Sequence, residues 1–238
     1  MLHTSEAIVL RTLRHQDSNL IVRLYTQKFG IQDFILKSYG SAQGRKKYSY
    51  FQPLSILEIV YNEKPGSTLH SIQESRASVF LQHVQTEVIH LSLGLTIIEI
   101  FTNCVQLDEG DDAIYDLLKS VILALDKNTD KLIPVFLFFL AKFTAVMGFA
   151  PSWNVQDEKQ PIYWDIVSGV MQNGDKGHTR ICQLVHTFLN TDVVHCRDVF
   201  FTQEEKRAYI TTLFQYYYYH IQGFKYPKTL QVFAEVFG

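Results

Sequence analysis

The sequence predicts an α+β protein, a small antiparallel five-stranded barrel followed by an all-helical domain. Three observations predict it. Between Ser5 and Tyr61 the chain carries short runs rich in β-branched and aromatic residues, each bounded by polar turn residues. No helical crossover of the length that a parallel pair of strands requires is read between these runs. After about Glu74 the apolar period lengthens to nearly 3.6, the repeat of a helix.

Strands are expected over residues 7–10, 20–25, 31–36, 54–61 and 69–72. The polar stretch His15-Gln16-Asp17-Ser18 turns the first onto the second, Phe29-Gly30 closes the second onto the third, and Pro65-Gly66 precedes the fifth. Val79, Phe80, Val84, Val88, Leu91, Leu95, Ile98 and Phe101 then predict one long helix over 79–105. Asp111 and Asp112 stand where a cap and a first turn belong, ahead of a helix that carries Leu118, Val121, Ile122 and Leu125. Pro134 suits the first turn of a helix that is apolar on almost every side through Val146, the expected centre of the helical half. Gly148 and Pro151 stop it. Residues 152–178, with Trp153, Trp164 and Gly174, read as an irregular excursion holding at most a short hairpin or helix. Helices over 181–189, 203–221 and 230–237 complete the reading. The division is a barrel domain over 1–75 and a helical domain over 76–238.

The formal net charge of −2 hides an asymmetry. Residues 1–75 carry nine Lys/Arg against six Asp/Glu, whereas the remainder carries thirteen against eighteen. A basic part joined to an acidic part fits one surface for nucleic acid and another for protein. Cys104, Cys182 and Cys196 form an odd, widely spaced set and imply no disulfide framework, so a reducing compartment is expected. The apolar run at 7–10 is too short for a signal peptide, and the run at 132–141 is about half of the roughly twenty residues that a membrane span needs. The expected location is cytoplasmic and nucleoid-associated, with no membrane contact.

The stretch from Gly30 to Phe51 carries the functional signal. After Lys37 it holds Gly40, Gly44, the triplet Arg45-Lys46-Lys47, and Tyr39, Tyr48 and Tyr50. Cations interleaved with aromatics suit a polyanion that also offers flat rings, because the cations meet phosphates and the rings accept stacked bases. DNA-binding residues are therefore expected at Lys37, Tyr39, Arg45, Lys46, Lys47, Tyr48 and Tyr50, assisted by Arg11, Arg14 and Arg23. Lys131, Lys142, Lys225 and Lys228 lie beside apolar helix faces and are the candidates for holding an acidic, apolar partner tail.

Other constellations reduce to packing. Cys182, His186, His195 and Cys196 match no common zinc spacing, and no metal site is expected. Tyr216 to Tyr219 circle a helix, so two should face the core and two the surface. No nucleophile elbow, phosphate-binding glycine loop, dinucleotide fingerprint or HExxH pair is present, and no catalytic residue is assigned.

These residues also carry a resemblance. Glu6 to Arg11, the turn through Asp17-Ser18, Leu20 to Thr26, Phe29-Gly30 leading to Phe34-Ile35-Leu36-Lys37, and Phe51-Gln52-Pro53-Leu54 look like the opening of the RecO family of bacterial recombination mediators. Met147 to Pro151, His220 to Phe224 and Lys228-Thr229-Leu230 continue it in the same order to the end of the chain. The resemblance implies an N-terminal OB-fold and a helical domain in a non-enzymatic protein. It also implies binding of single- and double-stranded DNA, annealing of complementary strands, contact with the tail of single-stranded DNA-binding protein, and, with RecR, help in loading RecA. Many members place a four-cysteine zinc module after Gly-Phe-Ala-Pro; here that segment holds no cysteine, and Trp153, Tyr163 and Trp164 are expected to fill its place with apolar contacts. The rival reading is a protein-interaction adaptor with an OB-fold and no direct DNA role.

Overall fold

The computed structural model describes residues 2–15, 19–37, 49–62, 66–105, 110–127, 131–175 and 177–229. Five strands, β1 (Leu2–His15), β2 (Asn19–Thr26), β3 (Gly30–Leu36), β4 (Ile56–Asn62) and β5 (Leu69–Ala77), close a barrel in the order β1-β2-β3-β5-β4. The barrel is not wholly antiparallel as expected: β3 and β5 pair in parallel, with Phe34 opposite His70. Parity requires this. An odd number of strands cannot alternate direction all the way around a closed ring, so one pair must run the same way.

β1 is far longer than the four apolar residues that signal it. Its first half pairs with β4, from Leu2 opposite Asn62 to Ile8 opposite Ile56. Its second half pairs with β2 out to His15 opposite Asn19, past an irregularity between Val9 and Arg11. Ala7 and Val9 point into the barrel beside Val22, Leu24, Phe34, Leu57 and Ile59. Ile8 and Leu10 point outward and join Tyr25, Ile31, Leu54 and Ile56 in the core of the helical half. Burial on both faces explains why Ala7 to Leu10 is an unbroken apolar run rather than an alternating one.

The single helix expected over 79–105 is a correction. Helix α1 (Val88–Cys104) begins nine residues later than Val79, and the preceding residues form turns. The cause is Asp126, whose carboxylate accepts from the backbone N–H groups of Gln82 (2.9 Å), His83 (2.8 Å) and Val84 (2.9 Å). A helix would leave its first N–H groups without such partners. Phe80, counted in the apolar stripe, stands in solvent at 89% exposure. From the same segment the Gln85 amide donates to Pro53 O (3.1 Å) and Ser55 Oγ (2.7 Å), tying the turns to the barrel.

Helix α2 (Asp112–Lys127) is capped as its sequence suggests, the Asp111 carboxylate accepting from Ile114 N–H at 3.0 Å. Helix α3 (Leu132–Val146) is the buried centre of the helical half. Residues 152–178 correct the irregular excursion: β6 (Ser152–Asn154), β7 (Ile162–Asp165) and β8 (Val170–Asn173) form a three-stranded sheet in the order β6-β8-β7. Ile162, Trp164 and Met171 are buried in the core while Tyr163 is exposed, so Tyr163 does not share the packing role expected of it. Strands of three or four residues leave too little alternation for the period to be read.

Helix α4 (Thr179–Asn190) and helix α5 (Gln203–His220) close the bundle, the latter on a reciprocal cap between Thr202 and Glu205. Tyr216 and Tyr217 are buried, their hydroxyls donating to Phe149 O (2.6 Å) and Leu140 O (2.8 Å), and Tyr218 and Tyr219 face solvent. The helix expected over 230–237 lies outside the described residues.

The two halves are joined by polar links around their shared apolar contact. Lys119 donates to Glu6 at 2.6 Å, Ser78 also bonds Glu6, and the Gln27 amide donates to Asp112 at 2.9 Å. Burial raises the Glu6 carboxyl, but Lys119 and Ser78 outweigh it and hold the group below its ordinary value. Gly94 of α1 sits against the barrel so closely that a β-carbon there would come within 2.5 Å of Leu54 Cδ1. Among the described residues no helix is long and apolar enough to cross a membrane.

Candidate nucleic-acid interface

Strand register decides which cations share a surface. Across β1, β2 and β3 the pairs Arg14–Leu20 and Leu20–Leu36 place Arg14 and Lys37, the residue after Leu36, at one rim of the barrel. His15, opposite Asn19, belongs to the same rim. All three are exposed. Phe51 returns the chain to this side, its carbonyl accepting from Thr12 Oγ1 at 2.8 Å. Tyr39, Arg45, Lys46, Lys47 and Tyr48 lie outside the described residues.

A second row crosses the same strands further from the rim, running Arg11, Arg23 and Asp33. Arg11 is exposed. Arg23 is committed: its Nε and one terminal nitrogen donate to the two Asp33 oxygens at 2.8 and 2.7 Å, a bidentate pair that raises the guanidinium above its ordinary value. The row therefore presents one unpaired cation and one neutralised one. The side chains of Arg11, Arg14 and Lys37 make no hydrogen bond or ion pair with the described residues. Tyr50 is half-buried, its ring stacked on Phe51 at 5.2 Å and its hydroxyl donating to Ser75 O at 2.8 Å.

Sequence reasoning missed the depression beside the Arg23–Asp33 pair. It is floored by Phe29 and Ile31, bordered by Ser67 and Thr68, and holds about 240 Å³. Gln32 Oε1 and His70 Nδ1 are buried in its lining without a partner among the described residues. The depression lies beside β3, between Arg23 of β2 and His70 of β5. The signal was Gln32-Asp33, a polar pair interrupting the third strand between Ile31 and Phe34.

The four lysines of the helical half do not form one cluster. Lys142 donates to Leu189 O at 2.6 Å and lies 5.9 Å from the Phe138 ring centre, and burial holds its ammonium below the usual value. Lys131, also on the α3 side, reaches Arg197 O at 3.4 Å. Lys225 and Lys228 are instead near α1, where Lys225 O accepts from Asn103 and Lys228 N–H donates to Glu99.

The residues present do not supply the four-cysteine zinc module that the resemblance implies. Residues 152–178 contain no cysteine. Cys182 and Cys196 are buried, and burial pushes both thiols up to about 11. His186 is engaged otherwise, its ring stacked on Trp153 at 4.0 Å.

Comparison with known proteins agrees with this architecture. The family description "Recombination protein O N terminal" matches residues 1–79, the barrel and its exit, and "Recombination protein O C terminal" matches residues 85–157. The chain is 30% identical over 243 residues to the DNA repair protein RecO of Christiangramia forsetii, covering 100% of both chains. It is 26% identical to that of Flavobacterium psychrophilum, covering 98% of each, and 24% identical to that of Phocaeicola vulgatus, covering 100% of each. A closed five-stranded barrel leading into a helical half, matched from end to end by these proteins, shows that the chain belongs to the RecO family.

Proposed function

We propose that this member of the RecO family acts in DNA repair and recombination as a mediator that holds DNA on the rim of its barrel. The observation that carries the reading is the convergence of Arg14 and Lys37, with both flanks of residues 38–48, on one side of the β1-β2-β3 sheet. Arg11 extends the contact, and Arg45, Lys46 and Lys47 add cations from the intervening sequence. Tyr39 and Tyr48 are assigned to base stacking; Tyr50 is already committed to Phe51 and Ser75. Arg23 contributes little while Asp33 neutralises it.

Annealing of complementary strands requires no bond-making residue. It requires two phosphate chains brought together with their repulsion neutralised and their base edges free, so binding to single and double strands is expected to be largely independent of sequence. In this reading RecR, the tail of single-stranded DNA-binding protein and, indirectly, RecA are the partners, with the tail near Lys131 and Lys142 or near Lys225 and Lys228. No metal or other cofactor is called for.

Fluorescence anisotropy of a labelled single-stranded oligonucleotide across a salt series tests the proposal. For Arg11→Ala/Arg14→Ala/Lys37→Ala, loss of three phosphate contacts shrinks the log-log slope by about two units, from about 0.7 per phosphate. An unchanged slope in a folded variant removes this rim from the DNA path and favours the adaptor reading.

A further inference from the structure

Helix α1 is apolar on almost every side, and Glu99 is its only charged residue. A helix of that kind is buried all round. One side is accounted for: Gly94 meets Leu54 of the barrel, and Leu93, Ile97, Ile100 and Phe101 are buried in the core of the helical half. The outer side differs. Spacings of three and four residues place Val88, Ser92, Leu95, Glu99 and Asn103 on one face, and none of the five is buried. Val88 and its neighbour Ile89, at the N-terminal end of that face, are 67 and 42% exposed.

The end of the described chain runs along this face. The Lys225 carbonyl accepts from the Asn103 amide at 3.2 Å. One turn of α1 further back, Glu99 accepts from Lys228 N–H (2.9 Å), Thr229 N–H (3.0 Å) and Thr229 Oγ1 (2.6 Å). Residues 225–229 thus travel from Asn103 to Glu99, against the direction of α1. Lys228 and Thr229 are already helical. The Glu99 carboxylate therefore takes up N–H groups at a helix start, where they lack partners of their own and where negative charge is favoured. Burial raises this carboxyl, but the Thr229 hydroxyl and the two N–H groups outweigh it and hold the group below its ordinary value, so it is an anion at neutral pH.

We propose that residues 230–238 continue from this cap as an amphipathic strap that lies antiparallel on the outer face of α1 and covers it. They lie outside the described residues, and their sequence supplies the fit. Leu230, Phe233 and Phe237, spaced by three and four, share one helical face, with Gln231 and Glu235 on the other. Both helices rise about 1.5 Å per residue, so counting from the contact of Thr229 with Glu99 sets Phe233 level with Leu95 and Phe237 level with Leu91. The strap spans about 13 Å, and the Phe237 ring extends its cover toward Val88. Ser92, small and central on the face, lets the two helices approach. Because the strap is tethered at Glu99, its docking is intramolecular, with an effective concentration that a separate partner lacks. Helix α1 is then held between barrel and strap, away from the rim proposed for DNA.

The full-length protein carrying Leu95→Cys/Phe233→Cys is oxidised with diamide and the linked peptides are identified by mass spectrometry; the native cysteines are buried. An intramolecular disulfide between positions 95 and 233 is expected, forming at least tenfold faster than in Leu95→Cys/Glu235→Cys, whose second thiol points away from α1. Hydrogen exchange of the unaltered protein, which stands even if a cysteine variant fails to fold, should show the amides of 230–237 slowed at least tenfold relative to an unfolded chain. Phe233→Asp should return them to the unfolded rate, and Glu235→Ala should leave them protected. Equal rates in the two cysteine pairs, or no link in either, overturn the proposal, as does exchange at the unfolded rate across 230–237 in the unaltered protein. A link between positions 95 and 233 found only between two molecules also overturns it and assigns the face to a second copy of the chain.

Discussion

Replacing Asp126 by alanine should loosen the join between barrel and helices more than its position near the end of α2 suggests. A carboxylate in the last turn of a helix opposes the helix dipole and costs a few tenths of a kcal/mol in isolation. Here that cost is offset by three N–H donors, those of Gln82, His83 and Val84, the last on a fully buried residue. A hydrogen bond to a charged group is worth ~1.5–3 kcal/mol, and donors near the surface regain part of their loss from water. Together these terms give a destabilisation of about 3–5 kcal/mol for Asp126→Ala. Asp126→Asn keeps one acceptor oxygen and should cost about half as much. Urea denaturation followed by circular dichroism measures both, with the shift read at constant m-value. A loss below about 1 kcal/mol in the alanine variant would refute the reasoning, because the turns over residues 78–87 would then be held by something other than this carboxylate.

Three further outcomes follow from the same geometry. Asp33→Asn releases Arg23 from its bidentate pair; single-strand affinity at low salt should rise roughly threefold to tenfold and the salt slope steepen by about 0.7, and an unchanged slope would remove Arg23 from the DNA path. Glu6 has a folded-state pKa below its ordinary 4.5, so its stabilising effect is present above pH 4.5 and lost as pH falls through the depressed value. Glu6→Gln should therefore cost about 1 kcal/mol at pH 7 and little at pH 3, measured by thermal unfolding across that range; a pH-independent difference would mean the Lys119 pair contributes nothing. Gly94→Val drives side-chain atoms into Leu54 and should cost about 2–4 kcal/mol despite the poor helix propensity of glycine, and a stability equal to the parent would show that α1 and the barrel are free to separate.

The barrel was legible because its strands are signalled locally, by β-branched runs between polar turns. Its parallel closure between β3 and β5 was not, since pairing between distant strands leaves no local mark. The false extension of α1 back to Val79 shows the reverse problem. Val79, Phe80 and Val84 fit a helical period by residue type, but the acceptor that holds the turns, Asp126, lies more than forty positions away. For the candidate interface, residue type pointed to Arg11, Arg14 and Lys37, and strand register brings Arg14 and Lys37 to one rim. Residue type also pointed to Arg23, without revealing that Asp33 ten residues on would absorb its charge. Tyr163 was read as packing and is exposed because alternation over four residues of β7 sends its neighbours inward.

The outward apolar stripe of Ile8, Leu10, Tyr25, Leu54 and Ile56 has a consequence for synthesis on the ribosome. The barrel segment leaves the exit tunnel first, yet the helices that cover its stripe, α1 and α2, are complete only at Cys104 and Lys127. For the seconds needed to translate the intervening residues, a closed barrel would carry a sticky side with nothing to bury it. A fragment cut at the barrel's end would keep this apolar side uncovered and is expected to self-associate.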